Sequence, residues 1–160
     1  MTMRASVLSV VLFAVACSST PTTPTPASTQ ASLTATIAPN PVTATNCLVP
    51  CAAIDGSGRI FQWRVQGNMT IHETAGLGGN VDTIIVTNFN PPIVYTSDVI
   101  AQRSGTSHIA AKGILNVPVT VIYGIVGSVN ASRSIVMDVL VSFTDDRGNQ
   151  VSAATQWATN

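Results

Sequence analysis

The sequence predicts an all-β domain: a single sandwich of about seven antiparallel strands. Its 160 residues suffice for one domain of ordinary size. Val, Ile and Thr are abundant, whereas Lys, Glu and Leu, which usually build exposed helices, are scarce. Several segments also alternate apolar and polar residues with the two-residue period of a strand. Strands of this kind, half buried and numerous, favour two packed sheets.

Four segments carry the alternation most clearly, at 61–71, 115–125, 135–143 and 151–157. Each has one apolar and one largely polar face, as expected of a strand between a core and water. Pro118 has no backbone N–H to donate, so the second segment either lies at a sheet edge or turns the side without a donor toward solvent. Residues 144–149 (TDDRGN) predict a hairpin turn between the last two segments. Weaker strands are expected at 33–37, 81–87 and 94–102, and no amphipathic helix is expected.

The first sixteen residues have the character of an export signal. One basic side chain lies within Met1–Arg4, and 5–16 is apolar apart from Ser6 and Ser9. A membrane-spanning helix needs about 20 apolar residues, so this run is too short to span a bilayer. Its length suits the apolar region of a signal peptide, which predicts that residues 1–16 are removed.

The residues that follow suggest a lipid anchor. Residues 14–17 (AVAC) resemble the lipobox of bacterial lipoproteins, in which a cysteine becomes the acylated amino terminus. The resemblance implies diacylglyceryl and palmitate attachment at Cys17, although Ala14 stands where that pattern prefers Leu. Ordinary cleavage after Ala16 is the alternative. Residues 18–30 contain only Ser, Thr, Pro, Ala and Gln, so 17–30 reads as an extended tether. Ser18 resembles the pattern of lipoproteins sorted to the outer membrane.

Three cysteines are an awkward number for an exported protein, and lipidation of Cys17 would leave a pair. Cys47 and Cys51 lie close enough in sequence to close a small disulfide loop in an oxidising compartment. A redox pair or half of a metal site is the alternative. Redox motifs usually have two intervening residues rather than three, and a zinc site would need further ligands nearby.

The charge pattern argues against two classes of partner. The formal net charge is zero and only 9% of residues are charged, against 46% hydrophobic. The basic residues of the mature chain are scattered, so a footprint for nucleic acid is missing. A polybasic patch for an anionic membrane surface is missing for the same reason. Contact with a membrane is therefore expected through the lipid alone.

Two stretches resemble a known family. Residues 61–65 (FQWRV) followed by 71–79 (IHETAGLGG) resemble the aromatic strand and the E-T-x-G-x-G turn of immunoglobulin-like domains in bacterial surface lipoproteins. Residues 115–119 (LNVPV) and 143–149 (FTDDRGN) resemble later strands and the final hairpin of that group. The resemblance implies an immunoglobulin-like sandwich over residues 31–160. The insert carrying Cys47 and Cys51 departs from the pattern.

The candidates for catalysis are sparse. His72-Glu73 begins like the zinc-protease motif H-E-x-x-H, but Gly76 stands where the second histidine belongs, and neighbouring strand residues face opposite sides. Glu73 shares the parity of the apolar residues before it, which predicts a structural role with turn amides as partners. Ser107-His108 has neither a G-x-S-x-G elbow nor a strand-to-helix context.

The hairpin acids raise the question of a metal. Asp145, Asp146 and Asn149 could offer oxygen ligands to calcium, but they lack the D-x-D-x-D-G spacing of a calcium loop. A plain hairpin turn is the favoured interpretation. No catalytic residue, metal ligand or cofactor is therefore predicted.

The function expected from these features is that of a non-enzymatic cell-envelope lipoprotein, a surface or periplasmic module for adhesion, envelope structure or binding of a protein or glycan. An accessory carbohydrate-binding module is the first alternative; it needs an exposed aromatic platform. An enzyme of unfamiliar type is the second; it needs several acidic and histidine side chains in one pocket. The platform could come only from Trp63, Trp157, Tyr95 and Tyr123, and the pocket from His72, Glu73, His108, Asp138, Asp145 and Asp146.

Overall fold

The computed structural model describes residues 28–51, 60–125 and 133–160, which form nine strands and one short helix. The predicted signal peptide and most of the predicted tether lie outside the described residues. The elements are β1 (Leu33–Ala38), β2 (Thr45–Cys51), β3 (Phe61–Glu73), β4 (Gly79–Val86), β5 (Ile93–Thr96), α1 (Ser97–Ser104), β6 (His108–Ile109), β7 (Ile114–Ile125), β8 (Val136–Asp145) and β9 (Gln150–Ala158).

The first sheet is built around β3. Strands β1 and β2 pair with two halves of the same edge of β3, and β7 pairs with the other edge along nearly its whole length. All of these pairings are antiparallel. Among the described strands β7 pairs only with β3, so it is an edge strand, which is one of the two positions that Pro118 predicted.

The second sheet has the order β5-β4-β8-β9, and β6 pairs with β4 beside β5. Its pairings are also antiparallel. Gly79 starts β4 at a close approach to β8, because a Cβ there would lie 2.4 Å from the backbone oxygen of Thr144. Only glycine fits at that point of the sheet.

The core lies between the two sheets and follows the predicted alternation. In β8 the alternate residues Met137, Val139, Val141 and Phe143 are buried. Trp157 is the largest fully buried side chain, and its indole N–H donates to the Pro39 carbonyl at 2.9 Å. The prediction of an all-β protein with two antiparallel sheets is confirmed.

The chain passes from one sheet to the other just after β1. Val42 forms a parallel bridge with Thr159, and Val42 N donates to Ala158 O at 2.9 Å. Residues 42–44 thus lie beside the end of β9, although β1 itself belongs to the sheet of β3. This passage ties the two sheets together along one side of the sandwich.

The predicted strand over 94–102 is wrong in its second half. Strand β5 ends at Thr96 and the helix α1 follows, with Gly105 closing it at φ 82°. Asp98 in the first turn and Arg103 in the last complement the helix dipole. Ile100 alone is fully buried and Val99 packs against the core partly buried, so the helix lacks the wide apolar stripe that predicts a helix from sequence. Strands β2 and β6 were not predicted.

Candidate functional site

Two buried carboxylates contact the backbone just before β1, at Ala31 and Ser32. The first is Glu73, at the end of β3. Its side chain is 0% exposed. Gly76, at φ 90°, lets the following turn fold back over the carboxylate. The two oxygens accept hydrogen bonds from five backbone amides: Ala75 and Lys112 at 2.8 Å, Gly76 at 2.9 Å, Leu77 at 3.1 Å and Ser32 at 3.4 Å. The predicted structural role of Glu73 is confirmed.

Opposing effects act on the Glu73 carboxyl. Burial alone raises its pKa, but the backbone hydrogen bonds from Lys112, Ala75, Gly76 and Ser32 outweigh burial and hold the pKa below its ordinary value. Because the amides bond to the charged form, the group stays ionised at neutral pH. Its lone pairs are occupied, so it is poorly placed to exchange a proton with a substrate.

The second buried carboxylate is Asp145, at the end of β8, which is 3% exposed. Burial raises its pKa, but the side-chain and backbone hydrogen bonds of Asn149, with those of Ala31 and Arg147, lower the pKa overall. The amides of Arg147 and Asn149 donate to Oδ1 at 3.0 and 2.8 Å, and Asn149 Nδ2 donates to both oxygens. The hairpin turn is therefore organised by Asp145, whose oxygens already carry N–H donors where a cation would bind.

Both carboxylates hold the segment that leads into β1. The amide of Ala31 donates to Asp145 Oδ2 at 3.1 Å, and the next amide, that of Ser32, reaches Glu73. The turn between β8 and β9 adds two more contacts: Arg147 Nη1 donates to Ser28 O at 3.1 Å and Asn149 Nδ2 to Thr29 O at 3.2 Å. We call residues 28–32 with these partners the N-terminal latch.

The other candidates are His72, Asp138 and the pair of His108 with Asp146. His72 is half-buried in the first sheet, opposite Thr34 and Ile114. Asp138 accepts hydrogen bonds on the second sheet, from Asn88 Nδ2 at 3.1 Å and Gln156 Nε2 at 2.8 Å.

His108 pairs with Asp146 of the last hairpin, Nε2 to Oδ1 at 3.4 Å, and both side chains are about half exposed. The backbone carbonyl of Ser107 accepts from Val81 N at 2.9 Å. Glu73, Asp145, Asp146 and His108 thus lie toward one end of the sandwich, whereas Asp138 lies near the other end of β8 and His72 faces the opposite side of β3 from Glu73.

Three of the four candidate platform aromatics are buried, and the fourth is partly exposed. Trp157, Tyr123 and Tyr95 are 0%, 3% and 4% exposed. Trp63 is half-buried, and the guanidinium of Arg133 lies 5.8 Å from its ring centre. The parity that placed Trp63, Trp157 and Tyr123 inward agrees with these positions.

Tyr95 instead has a role that the sequence did not reveal. Its hydroxyl donates to Thr120 O at 2.5 Å and accepts from Thr120 N at 3.2 Å, both on β7. Arg103 of α1 lies over the Tyr95 ring at 4.9 Å and donates to Pro118 O at 3.1 Å. Because these bonds engage backbone groups that face away from β3, the helix and β5 cover that edge of β7. Contacts between residues 25 and 15 positions apart in sequence give no local signal.

The cysteine predictions fall partly outside the described residues. Cys17 is not among them, and nothing is described of the Cys51 side chain. Cys47 is disulfide-bonded. The pairing of Cys47 with Cys51 stays a prediction.

Two broader observations complete the site. In the part of the chain that the structure describes, no helix is long and apolar enough to cross a membrane, and no three metal-ligating side chains form a group. No family model, curated protein or solved structure matches the chain.

Proposed function

We propose that this chain is a non-enzymatic lipoprotein of the bacterial cell envelope. It is lipidated at Cys17 and contacts its partners through an immunoglobulin-like sandwich. The sandwich serves adhesion, envelope structure or the binding of a protein or glycan. Its immunoglobulin-like character rests on the resemblance in residues 61–79, 115–119 and 143–149, together with the two antiparallel sheets. Export rests on the residues before Cys17.

The observation that carries the proposal is the N-terminal latch. A domain held by a tether bears load where the tether joins it, and here that junction is held by two ionised, buried carboxylates. Hydrogen bonds to charged acceptors are stronger than neutral ones. Two of the acids that an enzyme could have used are thereby committed to holding the chain, which favours a tethered binding module over a catalyst.

The proposal is tested by expressing the full chain with its own signal in a bacterium. We expect the wild-type protein to fractionate with membranes, to incorporate labelled palmitate and to have an intact mass that starts at an acylated Cys17. The Cys17→Ala variant should lose the label and leave the membrane fraction. Separation of inner from outer membranes then tests the expected outer-membrane location.

Matched controls separate the anchor from the other cysteines. Cys47→Ser and Cys51→Ser variants should keep the palmitate label, because only Cys17 follows the lipobox-like residues. An unlabelled wild-type protein cleaved after Ala16 would refute the lipid anchor. Alkylation before and after reduction shows whether Cys47 and Cys51 pair: both should resist alkylation until reduced.

A further inference from the structure

The strand β1 follows the tether directly and lies between two other strands. On one side its residues 33–38 pair in antiparallel register with residues 73–68 of β3. On the other side β1 runs alongside β9. The segment before β1 leads back to Cys17. A pull that reaches the sandwich through an anchor at Cys17 therefore acts first on β1.

The contacts with β9 follow the order of the sequence. The side chain of Gln30 donates to the carbonyl of Gln150, where β9 begins, with Nε2 and O 3.3 Å apart. The amide of Val42 donates to the carbonyl of Ala158, where β9 ends, at 2.9 Å, and the bridge at that point is parallel. Residues 30–42 therefore run in the same direction as β9, from the end of the sandwich that holds the N-terminal latch to the opposite end.

Asn40 strengthens the attachment at the opposite end. Its Nδ2 donates to Gln156 O at 2.8 Å, and its Oδ1 accepts from Ala158 N at 2.9 Å. Just beyond β9, Ala44 N donates to Asn160 O at 3.3 Å. The segment after β1 is thus held to the end of β9 by both backbone and side-chain hydrogen bonds.

The direction of β1 determines how a pull acts on these bonds. The N-terminal latch holds residues 28–32 at the end where the tether joins, and β1 runs from there toward the opposite end. A pull on residue 28 away from the sandwich, opposed at the far end, acts along the axis of β1. Backbone hydrogen bonds between antiparallel strands are perpendicular to the strands. Such a pull therefore shears all of them together instead of separating them one after another.

The side chains of β1 also oppose lengthwise movement. Ile37 is buried, whereas Thr34 and Thr36 are exposed. Because side chains alternate between the two faces of a strand, a slip of one residue along β3 would turn both threonines toward the core and Ile37 toward water. The strand must move by two residues, about 7 Å, before it can pair again with the correct facing.

We propose that residues 28–44 form a mechanical clamp that resists a pull delivered through the tether. The N-terminal latch holds one end of this clamp, pairing with β3 holds the middle, and the contacts of residues 40–44 with β9 hold the other end. The inference rests on the proposed function, since only a tethered domain receives its pull at residue 28. The sandwich then resists force best along the axis of β1.

Single-molecule force spectroscopy on the full chain tests this dependence on direction. The Cys17→Ala variant is used, so that lipidation has no influence on the result. One handle is attached through an azide-bearing residue in place of Ser18, and the second through the same residue in place of either Asn160 or Asp146. Asn160 lies just beyond the end of β9, and Asp146 lies in the hairpin turn beside the N-terminal latch.

The two pairs of handles apply force to the same fold in different directions. Force between positions 18 and 160 acts along β1, whereas force between positions 18 and 146 opens the latch at its own end and then peels β1 away. We expect at least about twofold higher unfolding force for positions 18 and 160, because several perpendicular bonds must break together. Forced unfolding is governed by the unfolding rate. Equal thermal unfolding of the two labelled proteins excludes a difference in stability as the cause.

A substitution at Asn40 tests the contacts with β9. Asn40→Ala removes both side-chain hydrogen bonds, so the unfolding force for positions 18 and 160 should fall toward that for positions 18 and 146. Asn88→Ala is the matched control, because the Asn88 side chain also makes two hydrogen bonds, to Asp138 at 3.1 and 2.6 Å, at an exposed position outside the clamp. It should leave both forces unchanged.

The outcomes decide between the clamp and a fold without a preferred direction. Higher force along β1, with a loss specific to Asn40→Ala, supports the clamp. The clamp is overturned if the two directions give the same force, or if Asn40→Ala lowers the force no more than Asn88→Ala does. Palmitate labelling tests the anchor separately, because a wild-type protein without the label would leave these forces unchanged and remove only the source of the pull.

Discussion

Replacing Glu73 with Gln should destabilise the sandwich strongly, although the two side chains have nearly the same shape. The carboxylate is fully buried and accepts five backbone N–H donors through its two oxygens. Gln retains one acceptor oxygen and replaces the other with an NH₂ group. The NH₂ group cannot accept, so it faces N–H donors wherever it is placed.

The size of the effect follows from how those donors divide. Oε1 accepts from Ala75 and Ser32, and Oε2 accepts from three other amides. The better orientation of Gln puts its nitrogen at the Oε1 position and leaves two amides without acceptors. A buried donor without a partner costs roughly 1–3 kcal/mol, so the loss should be about 4 kcal/mol. That is a large part of the roughly 5–15 kcal/mol that stabilises a typical domain.

Chemical denaturation measures the loss directly, and thermal unfolding should show a fall of about 15 °C at about 4 °C per kcal/mol. Asp146→Asn is the control, since Asp146 is an exposed acid near the same end of the sandwich and its carboxylate pairs with the His108 side chain at the surface. Its loss should stay below about 0.5 kcal/mol. A Glu73→Gln variant within about 1 kcal/mol of wild type would refute the reasoning.

Three further predictions concern the same fold. The pKa values of Glu73 and Asp145 are lowered in the folded state. The stability that the two ionised groups contribute is therefore complete above their unfolded pKa values, from about pH 5, and is lost as pH falls through their folded pKa values. Acid unfolding followed by circular dichroism should show that the stability of Glu73→Gln depends less steeply on pH than that of the wild type. Tyr95→Phe should lose about 1 kcal/mol in urea unfolding, because both backbone groups of Thr120 lose their partner. Gly79→Ala should lose about 3 kcal/mol or fail to fold, because its Cβ would lie 2.4 Å from a backbone oxygen of β8; an unchanged denaturation midpoint would contradict that close approach.

Residue alternation predicted the facing of the strands well, because it reports which side of a strand meets the core. The buried residues of β8 and the inward Trp157 follow directly from it. Glu73 was predictable for the same reason: an acid with core parity just before a glycine-rich turn requires amide partners. The helix α1 was missed because its single buried residue, Ile100, leaves no periodic signal.

The lateral position of a strand is a different kind of information. Alternation says nothing about which strands are neighbours. Tyr95 and Arg103 cover β7 from a distance that no local pattern reports. Pro118 was the one residue that indicated an edge, because a missing N–H has a lateral consequence.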